Sequence, residues 1–311
     1  MDTSIQAKLQ AISNYFDLGS IRDVNAATGT NQNYFVLTDA GEFLFKIIVN
    51  ISLEGMEQAI AYLNRLEEYQ FSAALYYIKS PAGSSIYRDD DCIAVACKKL
   101  RGRPATVSEN DCREIGIHLA KLHLISPVSL PEKRNWLDNN YLPEIVEDAK
   151  KIIGPGKLEK TLKAYSSFSD FKPETFPQSI VHGDLGGDNC LFVGDRLCAF
   201  LDWEEVGIGA SVLDFAITIL GSCFLEVMYP EFRGTFESNA YKSLYNGYNK
   251  VRPLTQYEQD YLETALKYVG LTQSVWSMLH WPQYHPAEEL EETKTLFWRF
   301  GLDRVSLSRV V

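Results

Sequence analysis

The fold is decided by one stretch of the sequence, Ile180-Val181-His182-Gly183-Asp184-Leu185-Gly186-Gly187-Asp188-Asn189, which is followed by Leu201-Asp202-Trp203. The Asp of a His-x-Asp triplet is followed five residues later by an Asn, and an apolar hairpin leads to a second Asp thirteen residues further on. This spacing is typical of a loop that transfers a phosphoryl group. The reaction needs a carboxylate that orients the acceptor hydroxyl, and oxygen ligands that hold Mg²⁺ on the phosphates. We assign the first role to Asp184 and the second to Asn189 and Asp202.

The same loop has a simpler interpretation as a polar turn, because Asp and Asn are common in turns. A turn does not explain the apolar hairpin that ends at Asp202, and we therefore favour the catalytic interpretation. Asp188 is the alternative metal ligand, although the spacing favours Asn189. We expect His182 to hold the loop by hydrogen bonding. We expect Asp214 to accept hydrogen bonds from the loop backbone, since a buried carboxylate needs donors; capping of its helix is the alternative.

One lysine, Lys46, interrupts an apolar strand upstream of this loop. Alternation puts Phe43, Phe45 and Ile47 on one face of the strand, and Leu44, Lys46 and Ile48 on the other. Because a lone ammonium is costly to bury, we predict that Lys46 holds nucleotide phosphates and is positioned by Glu57 on the next helix, residues 53–69. Glu54 is the alternative partner. The alternative role for Lys46 is that of an edge-strand residue whose charged end reaches water.

A small polar loop, Thr28-Gly29-Thr30-Asn31, precedes the hairpin that carries Lys46. Its backbone N–H groups are suited to covering phosphates. It lacks a Gly-x-Gly-x-x-Gly pattern, and an ordinary turn is the alternative. Its position directly before the hairpin favours nucleotide binding.

The order of the predicted elements indicates an α+β fold with two lobes. Strands are predicted over residues 34–38, 43–49 and 92–97, with helices over 5–18 and 53–69. After residue 98 the pattern is mainly helical, apart from a hairpin over residues 191–201. This layout is typical of a two-lobed kinase. We place a nucleotide-binding lobe at residues 1–98 and a catalytic, substrate-binding helical lobe at residues 99–311.

Composition and charge narrow the possible partners. The chain has 311 residues, 46% of them hydrophobic, and a formal net charge of −11. The negative charge argues against a nucleic-acid partner, since phosphate backbones are bound by Lys and Arg clusters. The six cysteines form no Cys-x-x-Cys and suit a reducing compartment. With no signal peptide pattern and no long apolar run, we expect a soluble cytoplasmic protein without a membrane partner.

The motifs resemble those of the aminoglycoside phosphotransferase and choline kinase superfamily, which has the protein-kinase-like fold. The resemblance rests on His182-Gly183-Asp184-Leu185 through Asn189, on Leu201-Asp202-Trp203-Glu204, and on Leu213-Asp214-Phe215-Ala216. The homoserine-kinase-type branch is the most similar, through residues 31–36, 119–123 and 248–255. The resemblance implies ATP and Mg²⁺ as cofactors and a small-molecule hydroxyl as acceptor. It also implies adenine contacts from residues 97–100, including Lys99 and Leu100.

The acceptor is therefore expected to be homoserine or a related amino alcohol. An aminoglycoside- or choline-type kinase is the alternative, and a catalytically inactive kinase-like module is the remaining one. Two glutamates, Glu204 and Glu205, follow the metal-binding Asp where the branch usually has aromatic residues. We predict that one of them binds the substrate ammonium, with solvated surface residues as the alternative. Arg134 is the predicted partner of a substrate carboxylate, and Arg103 is its alternative.

Overall fold

The structure is a computed structural model in which the chain forms two compact units. It describes residues 3–27, 31–49, 51–133, 135–225, 235–295 and 307. The first unit contains residues 1–70 and 74–102, and the second contains residues 71–73 and 103–311. The first unit is mainly β-sheet and the second mainly helical, which confirms the predicted α+β class.

The first unit is built on a five-stranded antiparallel sheet. Its strands are β1 (Ile21–Ala27), β2 (Gln32–Thr38), β3 (Gly41–Ile48), β4 (Tyr87–Arg88) and β5 (Ile93–Lys98), in the order β1-β2-β3-β5-β4. Its helices are α1 (Thr3–Tyr15) and α2 (Leu53–Glu68). The predicted hairpin joins β2 to β3, with Thr38 opposite Gly41.

The two faces of this sheet are covered by different helices. On one face, Phe43, Phe45 and Ile47 pack against Leu9 and Ile12 of α1. On the other, Ile48 and Val95 pack against Met56 of α2. Lys46 is opposite Val95 in the strand pairing and is only 5% exposed. The alternation predicted for β3 is therefore confirmed, and Lys46 lies on the face that α2 covers.

The second unit combines helices with two small sheets. Among its described residues the helices are α3 (Glu109–His123), α4 (Tyr141–Ile152), α5 (Glu159–Ser166), α6 (Ser211–Ser222), α7 (Ser238–Val251), α8 (Gln256–Leu279) and α9 (Trp281–Tyr284). One sheet has the order β6-β8-β9, from strands β6 (Arg103–Pro104), β8 (Cys190–Val193) and β9 (Arg196–Phe200). The other pairs β7 (Gln178–Val181) with β10 (Gly207–Ala210).

Two helices of this unit begin at residue pairs whose spacing in the sequence predicts a capping box, Ser108 with Asp111 and Thr255 with Glu258. At α8 the capping box is complete, because Thr255 and Glu258 bond to each other's backbone N–H groups. At α3 only half of the expected box forms: Ser108 accepts the N–H of Asp111, but the Asp111 carboxylate turns to Arg103 instead, at 2.6 and 3.0 Å. Arg103 is thereby engaged within the protein and is not open to an acceptor carboxylate.

Helices α3 and α7 cross at two glycines, one on each helix. A Cβ atom on Gly116 would overlap with the carbonyl oxygen of Leu244, and one on Gly247 would overlap with that of Arg113. Only glycine leaves room for this approach between the two backbones. The crossing brings the last turn of α3, which contains His123, to Tyr248 of α7.

The sequence did not predict helices α4 and α5, strand β1, or the short strands β4, β6, β7 and β10. Strand β1 contains the polar residues Arg22, Asp23 and Asn25 and stands at the edge of the sheet, where one-sided burial weakens the apolar pattern. Helices α4 and α5 lie in the proline-rich stretch 127–178, whose prolines stand mostly between the helices. Pro143 is in the first turn of α4, where proline is tolerated.

None of the described helices is both long and apolar enough to cross a bilayer.

Candidate active site

The predicted catalytic loop connects β7 to β8 in the second unit. Strand β7 leads directly into His182, and β8 begins at Cys190, immediately after Asn189. Strand β9 pairs with β8 and ends at Phe200, two residues before Asp202. The N–H of Leu201 donates to the carbonyl of Asn189 at 2.9 Å. The hairpin therefore returns Asp202 to the end of the loop that contains Asn189.

Asn189 is oriented by the backbone of Asp184. Its Nδ2 donates to the Asp184 carbonyl at 2.7 Å, and the same nitrogen is 3.5 Å from the Asp184 carboxylate. Because Nδ2 is occupied in this way, the oxygen Oδ1 is the atom left to face a ligand. The loop thus joins the proposed base to one proposed metal ligand by a direct hydrogen bond.

Helix α6 supports the loop at both ends. The Asp214 carboxylate accepts the N–H groups of His182 at 2.8 Å and of Gly183 at 2.9 Å, which confirms the predicted role of Asp214. At the other end of α6, the carbonyl of Gly221 accepts the N–H of Gly187 at 3.1 Å. Burial alone would raise the pKa of Asp214, but its hydrogen bonds outweigh this and lower it.

His182 holds the loop as the sequence predicted. Its Nε2 donates to the carbonyl of Leu201 at 2.8 Å, and its Nδ1 accepts the N–H of Asp184 at 3.3 Å. Burial lowers the pKa of His182, which keeps the ring neutral and in this tautomer. The imidazole therefore links both halves of the site, and it is fully enclosed beside the ring of Trp203, at 4.6 Å.

Two backbone conformations in the site are uncommon. Gly183 has φ +89°, and a Cβ there would lie 2.6 Å from the carbonyl oxygen of Glu205, so this position requires glycine. Asp202 has φ 57° and ψ 64°, the left-handed region that Asp and Asn tolerate better than most residues. This conformation comes directly before a single 3-10 turn over Trp203–Glu205, and it sets the direction of the backbone after the hairpin.

The site concentrates negative charge around Asp184. Although part of the Asp184 side chain is exposed, burial together with Asp188, Glu205, Asp202 and Asp214 raises its pKa to about 7. Clustered carboxylate and amide oxygens are the donors that Mg²⁺ prefers, and a bound divalent cation would offset their mutual repulsion. Asn189 and Asp202 therefore fit a metal ion that also keeps water and phosphate ligands. Among the described residues, no group of three or more Asp, Glu, His or Cys side chains forms a complete metal cage.

The two glutamates after Asp202 differ in their surroundings. Glu204 is buried, and its carbonyl accepts the ammonium of Lys133 at 2.6 Å. Glu205 is half-buried next to Gly183, and burial raises its pKa while Lys133 opposes that shift. Burial lowers the pKa of Lys133 itself. The solvated-surface alternative is therefore wrong for Glu204, and Glu205 is the more accessible of the pair.

The remaining predicted residues lie in the first unit or outside the described residues. Glu54 and Glu57 are exposed on α2, and Asn31 is buried with its Oδ1 accepting the N–H of Val49 at 3.0 Å. The N–H of Lys99 donates to the carbonyl of Glu42 at 3.1 Å, which leaves Leu100 as the next donor of that segment. Thr28, Gly29, Thr30 and Arg134 lie outside the described residues.

The geometry can be compared with known proteins at this point. A sequence model described as "Phosphotransferase enzyme family" matches residues 24–254 of the chain. The chain belongs to this family. The matched region includes the strand with Lys46 and the loop with Asp184, Asn189 and Asp202. The resemblance inferred from the motifs is therefore confirmed, and this phosphotransferase is a small-molecule kinase.

Individual relatives of the phosphotransferase are distant. It is 24% identical over 273 residues to a homoserine kinase of Pseudomonas aeruginosa (strain LESB58), covering 84% of this chain and 82% of that one. Amicoumacin kinase, solved with AMP-PNP, Ca²⁺ and its ligand, is 13% identical with a TM-score of 0.72, over 99% of this chain and 97% of that one. A choline/ethanolamine kinase family protein from Mesorhizobium loti is 16% identical with a TM-score of 0.64, over 98% and 96%. These structures confirm the protein-kinase-like fold.

Sequence reasoning missed part of what supports the site. His123, whose place on an amphipathic helix predicts only a packing or surface role, is buried and donates to Asp214 at 3.0 Å. Its position in the last turn of an amphipathic helix gave no indication of a partner 91 residues away.

A cavity of about 540 Å³ in the second unit is lined by Tyr165, Phe168, Phe171 and Tyr268, and by none of the predicted site residues.

Proposed function

We propose that this phosphotransferase transfers the γ-phosphoryl group of ATP to the hydroxyl of homoserine or of a related amino alcohol. The observation that carries the proposal is the loop in which Asp184 is bonded to Asn189 and followed by Asp202, with the acidic side chain of Glu205 beside it. Relatives named homoserine kinase support the acceptor, and a structural neighbour bound to AMP-PNP and Ca²⁺ supports ATP with a divalent cation.

The roles in the second unit follow from the chemistry of each side chain. Asp184 would orient the acceptor hydroxyl and take its proton as the phosphorus–oxygen bond forms. Asn189 and Asp202 would hold Mg²⁺, which neutralises charge on the phosphate oxygens when bound. His182 and Asp214 would fix the loop through its backbone, without touching the reacting atoms.

The roles in the first unit concern the nucleotide. Lys46 would bind phosphate oxygens from the sheet face that α2 covers, and Glu57, or alternatively Glu54, would position its ammonium. The loop over residues 28–31 would contribute backbone N–H groups. At residues 97–100, the N–H of Lys99 is already used, so Leu100 is the donor we propose for adenine, with Lys99 offering its carbonyl.

The acceptor side is proposed around Glu205. An amino alcohol has an ammonium group close to its hydroxyl, and Glu205 is a half-buried carboxylate close to Asp184. Homoserine also has a carboxylate, for which Arg134 is the proposed partner on sequence grounds. The cationic choline and aminoglycoside acceptors would need only the acidic side, and they form the second candidate function.

A panel of acceptors tests this proposal. ADP release with Mg²⁺ and ATP would be measured for homoserine, for 3-aminopropanol, which is homoserine without its carboxylate, for choline and for an aminoglycoside. We expect the highest kcat/KM with homoserine, at least about tenfold above 3-aminopropanol, because one charge-assisted pair is worth about 1.5–3 kcal/mol. A higher kcat/KM for choline or for the aminoglycoside would replace homoserine by the second candidate. Repeating the best reaction with GTP would establish the nucleotide.

Glu205→Gln should raise the KM for the amino acceptor about tenfold and leave the KM for ATP unchanged, because the substitution removes one charge from the ammonium partner. Steady-state kinetics in both substrates measure the effect. Glu204→Gln makes the same change one residue earlier, at a buried side chain, and is the matched control. Equal changes in the two KM values, or the same acceptor effect from both variants, would refute the assignment of Glu205.

A further inference from the structure

A chain of buried side chains runs from the start of α8 to the catalytic loop. Glu258 Oε1 accepts from Arg252 at 2.9 Å, and the same guanidinium donates to the Tyr248 hydroxyl at 2.9 Å. The Tyr248 hydroxyl is 2.6 Å from Nδ1 of His123, whose Nε2 is 3.0 Å from Asp214. The side chains of Glu258, His123 and Asp214 have no exposed surface, and that of Arg252 is 12% exposed.

From Arg252 onward, the hydrogen bonds of this chain all point towards Asp214. Since Nε2 of His123 donates to the Asp214 carboxylate and burial lowers the pKa of His123, the ring is neutral and its Nδ1 accepts from Tyr248. The Tyr248 oxygen in turn accepts from the Arg252 guanidinium. Aligned bonds of this kind polarise one another. The arrangement ends on the carboxylate that holds the N–H groups of His182 and Gly183.

Each end of the chain is fixed by local structure. The capping box holds Glu258, because its Oε2 accepts both the N–H and the hydroxyl of Thr255, at 2.8 and 3.0 Å. The glycine crossing of α3 and α7 sets the distance over which Tyr248 reaches His123. No member can move alone without leaving a buried polar group unpaired, and such a group costs about 1–3 kcal/mol.

We propose that His123, Tyr248, Arg252 and Glu258 are positioning residues for phosphoryl transfer, which hold Asp214 and, through it, the catalytic loop in one orientation. This proposal rests on the catalytic role proposed for the loop. It does not depend on which acceptor is used. None of the four side chains touches the reacting atoms, and their effect passes through the two backbone N–H groups bound by Asp214.

Tyr248→Phe tests the proposal, because it removes one hydroxyl and keeps the buried ring. We expect kcat to fall about tenfold while both KM values stay within twofold, measured with the best acceptor of the panel. We also expect faster hydrogen–deuterium exchange at the amides of His182 and Gly183. The exchange measurement needs no substrate, so it separates failure of this proposal from failure of the proposed function.

Tyr241→Phe is the matched control. Tyr241 is buried on the same helix, and among the described residues no hydrogen bond joins its hydroxyl to the chain from Glu258 to Asp214. We expect unchanged kcat and unchanged exchange at residues 182–183. Arg252→Lys is a second variant, because lysine keeps the charge but lacks the planar fork that reaches both Tyr248 and Glu258; it should reproduce the Tyr248→Phe pattern. Wild-type exchange in Tyr248→Phe, or equal losses in Tyr248→Phe and Tyr241→Phe, would overturn the proposal.

Discussion

Asp184→Asn is expected to lower kcat by about 10²–10⁴-fold, the usual contribution of a positioned general base. Asparagine keeps the size of the side chain and the backbone contacts of the loop, but it cannot accept the proton of the acceptor hydroxyl. Nucleotide binding should change little, since Asp184 is not assigned to the nucleotide. The melting temperature of the metal-free protein should not fall, because burial and the surrounding carboxylates already disfavour the charged form of Asp184. Steady-state kinetics, nucleotide titration and thermal unfolding measure these three quantities.

The loop offers a control for this prediction in Asp188→Asn. The substitution makes the same chemical change in the same loop, and asparagine can still accept the N–H of Asn189 that Asp188 accepts at 3.1 Å. We expect kcat to stay within a few fold of the wild type. Near-normal turnover of Asp184→Asn with every tested acceptor would remove Asp184 from the mechanism. Equal losses at both positions would indicate that the charge of the loop matters rather than one base.

Loss of the Asp202 side chain is expected to lower the kcat of Mg²⁺-dependent turnover by about 10³-fold or more. The reason is that a phosphate-bound metal stabilises the transition state by several kcal/mol. Asp202→Gly is the informative variant. Glycine adopts the left-handed conformation at φ 57° without strain, so the variant removes the carboxylate without straining the backbone. Turnover as a function of Mg²⁺ concentration, and binding of the metal with nucleotide present, measure the effect.

Asp202→Ala separates the ligand from the backbone. It removes the same carboxylate but adds about 1–2 kcal/mol of left-handed strain, so it should match Asp202→Gly in turnover and unfold at a lower temperature. Asn189→Ala should be milder and raise the Mg²⁺ concentration needed for half-maximal rate. Substantial activity in Asp202→Gly, with an unchanged Mg²⁺ requirement, would contradict the metal assignment.

Local patterns were enough to predict much of the first unit and the order of the elements. The alternation in β3 predicted that Lys46 and the side chains of Phe43, Phe45 and Ile47 lie on opposite faces of the sheet. In the structure those three side chains pack against α1, and the other face packs against α2. Capping signals gave the starts of α3 and α8. Strand β1 was not predicted, because an edge strand with polar residues shows little apolar periodicity. Helices α4 and α5 were hidden by the prolines around them, whose meaning depends on whether they fall in a first turn.

The catalytic loop could be predicted because its residues are close together in the sequence. The bonds from Asp214 to the loop could also be predicted, since a carboxylate at an apolar helix start needs donors. Sequence reasoning could not find the contact between His123 and Tyr248, which are 125 residues apart and joined only by tertiary packing. It likewise gave no backbone angle for Asp202 and did not distinguish the buried Glu204 from the half-buried Glu205.

Attempts to make this enzyme more heat-stable have to leave Gly116 and Gly247 unchanged. Replacing glycine by alanine inside a helix is a common stabilising substitution, worth about 0.5–1 kcal/mol. At these two positions the added methyl group would overlap with the backbone of the opposite helix, and such overpacking costs about 1–3 kcal/mol. It would also push Tyr248 away from His123. Replacing helix glycines by alanine is therefore expected to destabilise the protein where α3 and α7 cross. Applied to every helix glycine, the exchange would lower the turnover rate without raising the melting temperature.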